Sequence, residues 1–257
     1  MTKEISVPGM VNLIINDTPV PDRKVREVFA EFQPSAEILS ARELTLDLEK
    51  NAATAMLGIA YPKSVALIFP GEGAKSLYSF LSPEVSNPIL QASKWSVPAY
   101  RVLSGNKPIS VNVEIPTNIL KGINEERIEQ VWVCDDVIAT GLTIRSIASV
   151  VDSWLNRRGE NYNPSLRFSF PTQRETSLIW QAFCWLQRED ADIGPFKSQP
   201  AAIYKSPNSK RKVPLNSLST LLSNSNRGSD ARTRYSQKNF NDERKFYELL
   251  ATLSTNT

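Results

Sequence analysis

The residues of this sequence best equipped for chemistry are two adjacent carboxylates, Asp135 and Asp136. An apolar run, Val131-Trp132-Val133-Cys134, precedes them, and a stretch of small and hydroxyl residues, Val137-Ile138-Ala139-Thr140-Gly141-Leu142-Thr143, follows. Carboxylates accept hydrogen bonds from vicinal hydroxyls and can hold a divalent cation through water. A turn of small residues that opens a helix can surround a phosphate with backbone N–H groups. Gly141 lets that backbone approach closely, and the hydroxyls of Thr140 and Thr143 add donors. A phosphate cradle behind two carboxylates suits a sugar phosphate. The plainer alternative is a buried strand that ends in a solvated Asp-Asp turn, and the full string through Thr143 weighs against it. A Walker A loop would need Gly-Lys-Ser/Thr, and no such string occurs.

A second glycine-rich turn lies upstream, where Val65-Ala66-Leu67-Ile68-Phe69 runs into Pro70-Gly71-Glu72-Gly73-Ala74-Lys75. Glycines let amides face an anion, and Lys75 adds charge. Glu72 opposes an anion unless it reaches a cation through water. An ordinary strand-to-helix turn is the competing reading of this stretch.

What is missing narrows the chemistry. The chain has no histidine, so a Ser-His-Asp triad, a Cys-His dyad and a histidine-ligated metal are excluded. Catalysis must use carboxylates, lysine, tyrosine, backbone amides or a bound metal. Cys134 and Cys184 form no metal-ligand pattern; both read as reduced thiols of a cytoplasmic protein. The first ten residues contain Glu4 and no apolar segment of signal-peptide type. The run Val65–Phe69 is far too short for a bilayer, so no membrane association is expected.

The elements that must position these groups follow from periodicity. The chain has 257 residues, 41% of them hydrophobic, enough for one large domain with appendages. Continuous apolar runs at 65–69 and 131–134 suit strands buried on both faces of a parallel sheet. A weaker strand falls at 99–103, others at 11–15 and 166–170. Helices are expected over about 23–32 with Asp22 as cap, 42–59, from Ala74, 143–156, 176–188 and 241–253. Residues 104–120 read as a long loop or a β-ribbon. Strands alternating with helices predict an α/β fold with a mostly parallel central sheet flanked by helices. The predicted organisation is an N-terminal extension at 1–60 (a hood or docking element), a central domain at 61–192 and a basic C-terminal extension at 193–257 that ends in a helix. Residues 205–238 carry eight Lys or Arg against one acid, Asp230. A solvated linker, or a basic rim near an anionic substrate, is favoured for them over a nucleic-acid-binding arm, and the net charge of +3 does not by itself imply a nucleic acid.

Residues 131–143 resemble the signature loop of type I phosphoribosyltransferases. The resemblance covers about residues 60–170 and leaves both ends of the chain without a motif. It implies a sheet of that family's kind and Mg²⁺-dependent transfer from 5-phosphoribosyl-1-pyrophosphate (PRPP) to a nucleobase or related nitrogen acceptor, with release of pyrophosphate. Asp135 and Asp136 would hold the ribose 2′- and 3′-hydroxyls and Mg²⁺ through water. Ala139, Thr140, Gly141, Leu142 and Thr143 would bind the 5′-phosphate, and Pro70, Gly71, Glu72, Gly73 and Lys75 would receive pyrophosphate. In the region of the family's flexible loop Lys107 or Ser104 would contact pyrophosphate and Glu114 would serve as an acid, with a solvated surface loop the favoured reading of each residue singly. Trp132 stands where the family has a smaller aliphatic residue. Ala139 stands where enzymes for 6-oxopurines place an aspartate, so the loop looks more like adenine-type loops. Two other readings stay open: a non-catalytic sensor of PRPP or a nucleotide, and an accessory component of a larger biosynthetic or defence assembly. A homodimer or a protein partner would dock through the unassigned termini.

Overall fold

The structure, a computed structural model, describes residues 2–6, 12–32, 34–56, 65–81, 93–97, 99–104, 107–125, 128–156, 178–205, 215–225 and 243–254. In chain order its elements are β1 (Lys3–Ser6), β2 (Leu13–Asn16), α1 (Asp22–Phe32), β3 (Glu37–Ser40), α2 (Ala41–Met56), β4 (Val65–Pro70), α3 (Gly71–Phe80), β5 (Ser93–Val97), β6 (Ala99–Ser104) and β7 (Lys107–Val113). There follow α4 (Thr117–Glu125), β8 (Gln130–Ile138), α5 (Leu142–Asn156), β9 (Ile179–Arg188), β10 (Lys197–Lys205), β11 (Leu215–Ser217), α6 (Leu218–Ser225) and α7 (Glu243–Ser254).

The chain divides into two compact units, one of Met1–Ile5 with Thr45–Tyr204, the other of Ser6–Leu44 with Lys205–Thr257. Where the sequence suggested separate extensions at 1–60 and 193–257, segments from both ends of the chain share the second unit.

The first unit holds a six-stranded sheet in the order β1-β10-β9-β8-β4-β5. The pairs β4–β5, β4–β8, β8–β9 and β9–β10 are all parallel, so the fold is the α/β type expected. Strands β4 and β8, the two continuous apolar runs, lie side by side inside the sheet, with Ile68 opposite Val133. Their side chains alternate between faces. Ala66, Ile68, Val131 and Val133 join Ile144, Ile147 and Val151 of α5 in one core. On the other face Leu67, Phe69, Trp132 and Cys134 surround a small apolar space with Leu48 and Ala52 of α2 and Leu77 of α3. Trp132 is 1% exposed. Its ring lies 4.6 Å from that of Phe183, and its Nε1 donates to Gln130 Oε1 at 3.0 Å. A large residue is thus accommodated, with its one polar atom satisfied, where a smaller one was expected.

Three expectations need correction. The segment expected as a helix at 176–188 is strand β9. Trp180, Phe183, Trp185 and Leu186 are all buried, and a run apolar on both sides satisfies a helix or a doubly covered strand equally well. Of the two readings of 104–120 the β-ribbon is the one present: β6 and β7 form an antiparallel hairpin with Ser104 opposite Lys107, and α4 begins within the stretch at Thr117. Helix α3 begins at Gly71, so Pro70-Gly71-Glu72-Gly73 is its first turn and not a separate loop. Residues 197–205, placed by sequence in the basic extension, form β10 of the main sheet. The expected strand at 166–170, and all of the basic segment except residue 205 and 215–225, lie outside the described residues.

No helix supplies the β9–β10 connection. Residues 189–196 make it alone, a shorter path than the dozen or so residues such a crossover usually takes. Phe196 packs on Trp180, ring centroids 5.2 Å apart, and Ala191 and Ile193 lie against the core that α5 covers. This strap therefore crosses the sheet on the α5 face.

In the second unit three parallel strands run in the order β11-β2-β3. Ile14, Val25, Phe29, Ile38, Leu218, Leu221 and Leu250 form its core. The short strand Glu-Ile-Leu-Ser of β3 gave no sequence signal of its own.

Candidate functional site

Parallel strands share one carboxyl edge, and in open α/β sheets ligands bind there. Both sequence-predicted turns leave the main sheet at that edge, one from β4 and one from the neighbouring β8. Gly71 and Gly141 occupy the left-handed region, with φ of 72° and 76°, at the first residue of α3 and the last before α5. That conformation reverses the chain abruptly and turns the first amides of each helix outward from the strand end. Helix α3 has Pro70 as N-cap and no side-chain cap hydrogen bond. The amide of Leu142 lies 3.4 Å from Thr140 Oγ1, and the Arg145 N–H closes the first turn of α5 on Gly141 O at 3.0 Å.

The two turns meet. A Cβ built on Gly73 would lie 2.3 Å from Asp136 Oδ2 and 2.4 Å from its Cγ, so the Asp136 carboxylate occupies the space that any side chain at position 73 would need. The contact joins residues remote in sequence, and only glycine at 73 permits it.

The acidic pair is divided by the pleat. Asp136 faces α3. Asp135 is 8% exposed and pairs across the sheet with Cys184, a member of the core under α5. Each carboxylate accepts the following amide: Asp136 N–H donates to Asp135 Oδ1 at 3.0 Å, and Val137 N–H to Asp136 Oδ1 at 2.8 Å. Such bonds fix the carboxyl groups before a ligand arrives.

The cysteines are not nucleophiles. Burial first, then the nearby Asp135 carboxylate, pushes the Cys134 thiol up to about 12. The same two causes push Cys184 well above the usual thiol range. Both stay protonated near neutrality, and a protonated buried thiol is inert.

The remaining predicted residues are less gathered. Lys75 is exposed on α3. Lys107 opens β7 at the hairpin end opposite Ser104, and its side chain, like that of Glu72, lies outside the description. Among the described residues no three His, Cys, Asp or Glu side chains gather as a metal site, and the carboxylates of 135 and 136 point to opposite faces. The donor set fits Mg²⁺ that arrives on a phosphorylated ligand and meets Asp136 through water, as Mg²⁺ commonly binds; it does not fit an ion caged by protein ligands.

Sequence reasoning missed Arg145 and Asp192. Asp192, in the strap, pairs with Arg145 Nη1 of α5. The available signal was that Arg145 is the one charged residue in the first two turns of α5; nothing in the sequence paired it with the strap. A cavity of about 350 Å³ lies elsewhere, in the second unit between α1 and α7, lined by Val20, Lys24, Glu31, Leu249 and Leu253 among others. None of the predicted site residues borders it, and the carboxyl-edge geometry is the better guide to chemistry. No described helix is long and apolar enough to cross a membrane.

No protein-family model matches the chain, and no curated protein matches it significantly. Solved structures do. A xanthine-guanine-hypoxanthine phosphoribosyltransferase of Helicobacter pylori aligns at 14% identity over 69% of this chain and 92% of its own, with a TM-score of 0.37. A hypoxanthine phosphoribosyltransferase of Staphylococcus aureus aligns at 13% identity over 65% and 75%, TM-score 0.38. A purine phosphoribosyltransferase of Pyrococcus horikoshii aligns at 11% over 67% and 88%, TM-score 0.32. At those scores the likeness carries no inference about this chain's chemistry, which rests on its own residues.

Proposed function

We propose that this chain is a Mg²⁺-dependent phosphoribosyltransferase, a pentosyl-transferring enzyme that takes PRPP and a nucleobase or related nitrogen acceptor and releases pyrophosphate. The observation that supports the reading most is the contact of Asp136 with Gly73. It sets a hydroxyl-binding carboxylate beside a glycine turn at the carboxyl edge of the sheet, next to the turn of residues 139–143.

In this reading the amides of Ala139–Thr143 and the Thr140 and Thr143 hydroxyls anchor the 5′-phosphate, with the α5 dipole favouring its charge. Asp136 accepts from the ribose hydroxyls, and Asp135 braces the strand end from the buried side. Pro70, Gly71, Glu72, Gly73 and Lys75 flank the pyrophosphate. Asp136 would meet a donor-borne Mg²⁺ through water, and the ion would supply positive charge against the leaving pyrophosphate. The C1′–O bond to pyrophosphate breaks as the acceptor nitrogen bonds to C1′, and the acceptor's proton passes to solvent. With sugar and phosphate held at fixed turns, the protein contributes mainly orientation and electrostatics.

A pyrophosphate-release assay with PRPP, Mg²⁺ and a panel of purine and pyrimidine bases tests this. Turnover with one base, lost in Asp136→Asn, is the expected result. PRPP binding without release on any base would replace the enzyme by a sensor, which Glu72 in the pyrophosphate turn would suit. No PRPP binding would overturn both and leave the accessory-component reading.

A further inference from the structure

We infer that the strap at 189–196 is a positioning device for the phosphate turn, and that Asp192 is the residue through which it acts; the inference rests on the reading of residues 139–143 as a phosphate cradle. One contact joins the strap to that turn directly, and others join it to the helix that the turn opens. The Asp192 carbonyl lies over Gly141, where an added Cβ would come within 1.8 Å of its oxygen and 2.7 Å of its carbon. The Asp192 carboxylate pairs through Oδ2 with Arg145 Nη1, one turn into α5. Its Oδ1 accepts the Gly194 N–H at 3.2 Å, which holds the carboxylate toward α5. At Gly194, with φ of 57°, an added Cβ would lie 3.2 Å from Arg145 Cγ, so the strap and the arginine stem lie against each other.

These contacts matter because the turn has few supports of its own. Leu142 N–H to Thr140 Oγ1 is long at 3.4 Å, and Gly141 gains conformational freedom from its missing side chain. A cradle of backbone amides binds phosphate well only if the amides already converge. The strap presses on the turn from the side of Gly141 and is latched to the helix that the turn opens. Asp192 touches no atom that a phosphate would touch by necessity; it acts through Gly141 and Arg145. Its side chain is 64% exposed and that of Arg145 19%, so the ion pair alone is a modest contributor and the two backbone-directed contacts complete the latch.

Calorimetric titration of ribose 5-phosphate and, separately, inorganic pyrophosphate into the full-length chain tests the inference on Asp192→Asn and Asp192→Ala. Asn keeps an acceptor for Gly194 and loses the charge pair, so ribose 5-phosphate affinity should fall about two- to fivefold. Ala also loses the acceptor, and the loss should reach about tenfold. Pyrophosphate affinity and the thermal midpoint should stay near wild type in both, which a merely structural role would not produce. Unchanged or tighter ribose 5-phosphate binding in Asp192→Ala would overturn the latch, as would an equal loss for both ligands. Failure of wild type to bind ribose 5-phosphate would overturn the cradle itself, and so is distinguishable.

Discussion

The two units use the same local architecture to different ends. Each has parallel strands that run directly into helices, yet the helix starts are finished differently. In the second unit side chains close them. Ser219 N–H and Oγ donate to Asp17 Oδ1 and Oδ2 at 2.8 and 2.5 Å. Thr220 N–H reaches Ser217 Oγ at 3.3 Å and Glu43 N–H reaches Ser40 Oγ at 3.5 Å. Asn16 donates to Val20 O and Asp22 Oδ1, so that edge is a knot of mutual hydrogen bonds. In the first unit Gly71 and Gly141 turn the chain into α3 and α5; α3 carries no side-chain cap, and at α5 Thr140 Oγ1 accepts the Leu142 N–H at 3.4 Å. Capped helix starts hold a fold together; an uncapped one at a glycine turn, as at α3, is suited to take an anion. In the proposed function the chemistry lies at the edge of the first unit, and the hydrogen bonds at the edge of the second are scaffold.

Substitutions should separate the two edges. The largest effect is expected from Gly141→Ala, whose Cβ meets backbone at Asp192 from a left-handed φ; a loss of about 2–4 kcal/mol in denaturant-unfolding stability should accompany loss of PRPP binding. Next is Asp136→Asn, which should weaken PRPP binding by more than about tenfold, since a charge-assisted hydrogen bond is worth roughly 1.5–3 kcal/mol. Gly73→Ala should resemble Asp136→Asn in titration while costing under about 1 kcal/mol of stability, because the displaced neighbour is a side chain that can swing away. If Gly73→Ala leaves affinity intact, the contact between the turns is not functional. At the other edge Asp17→Ala should cost about 1–2 kcal/mol with PRPP affinity unchanged. A large affinity loss there would erase the distinction between the edges.

The smallest effect at ordinary pH concerns the buried core. Cys134 is raised from 9.0 to about 12, and Tyr204 from 10.0 to about 12, chiefly by burial. A raised folded value means that the unfolded chain releases its proton first. Stability from these groups is therefore intact below about pH 9 and lost progressively between 9 and 12. Urea midpoints across that range should decline, and Cys134→Ser with Tyr204→Phe should flatten the slope.

Much of this site was legible because its signals are local. The string from Val131 to Thr143 encodes strand, acids, turn and helix start in one stretch, and β4 with Pro70-Gly71 repeats the pattern. Parallel sheet and flanking helices followed from the alternation of those runs. What escaped is non-local or ambiguous. Trp180 through Leu186 satisfies helix and buried strand alike, and only pairing with Val131 through Val137 decides it. The four residues of β3 gain their place from β2. The placement of Asp136 against Gly73, and of Asp192 over Gly141, depends on strand order and on the path of the strap, neither of which leaves a pattern in the sequence.

In the proposed function the glycine turns and Asp136 together form a PRPP site. Calorimetric titration of PRPP into the wild-type chain, with and without Mg²⁺, tests it most directly. Micromolar binding that requires Mg²⁺ is the predicted result; the absence of binding in both conditions would contradict the account.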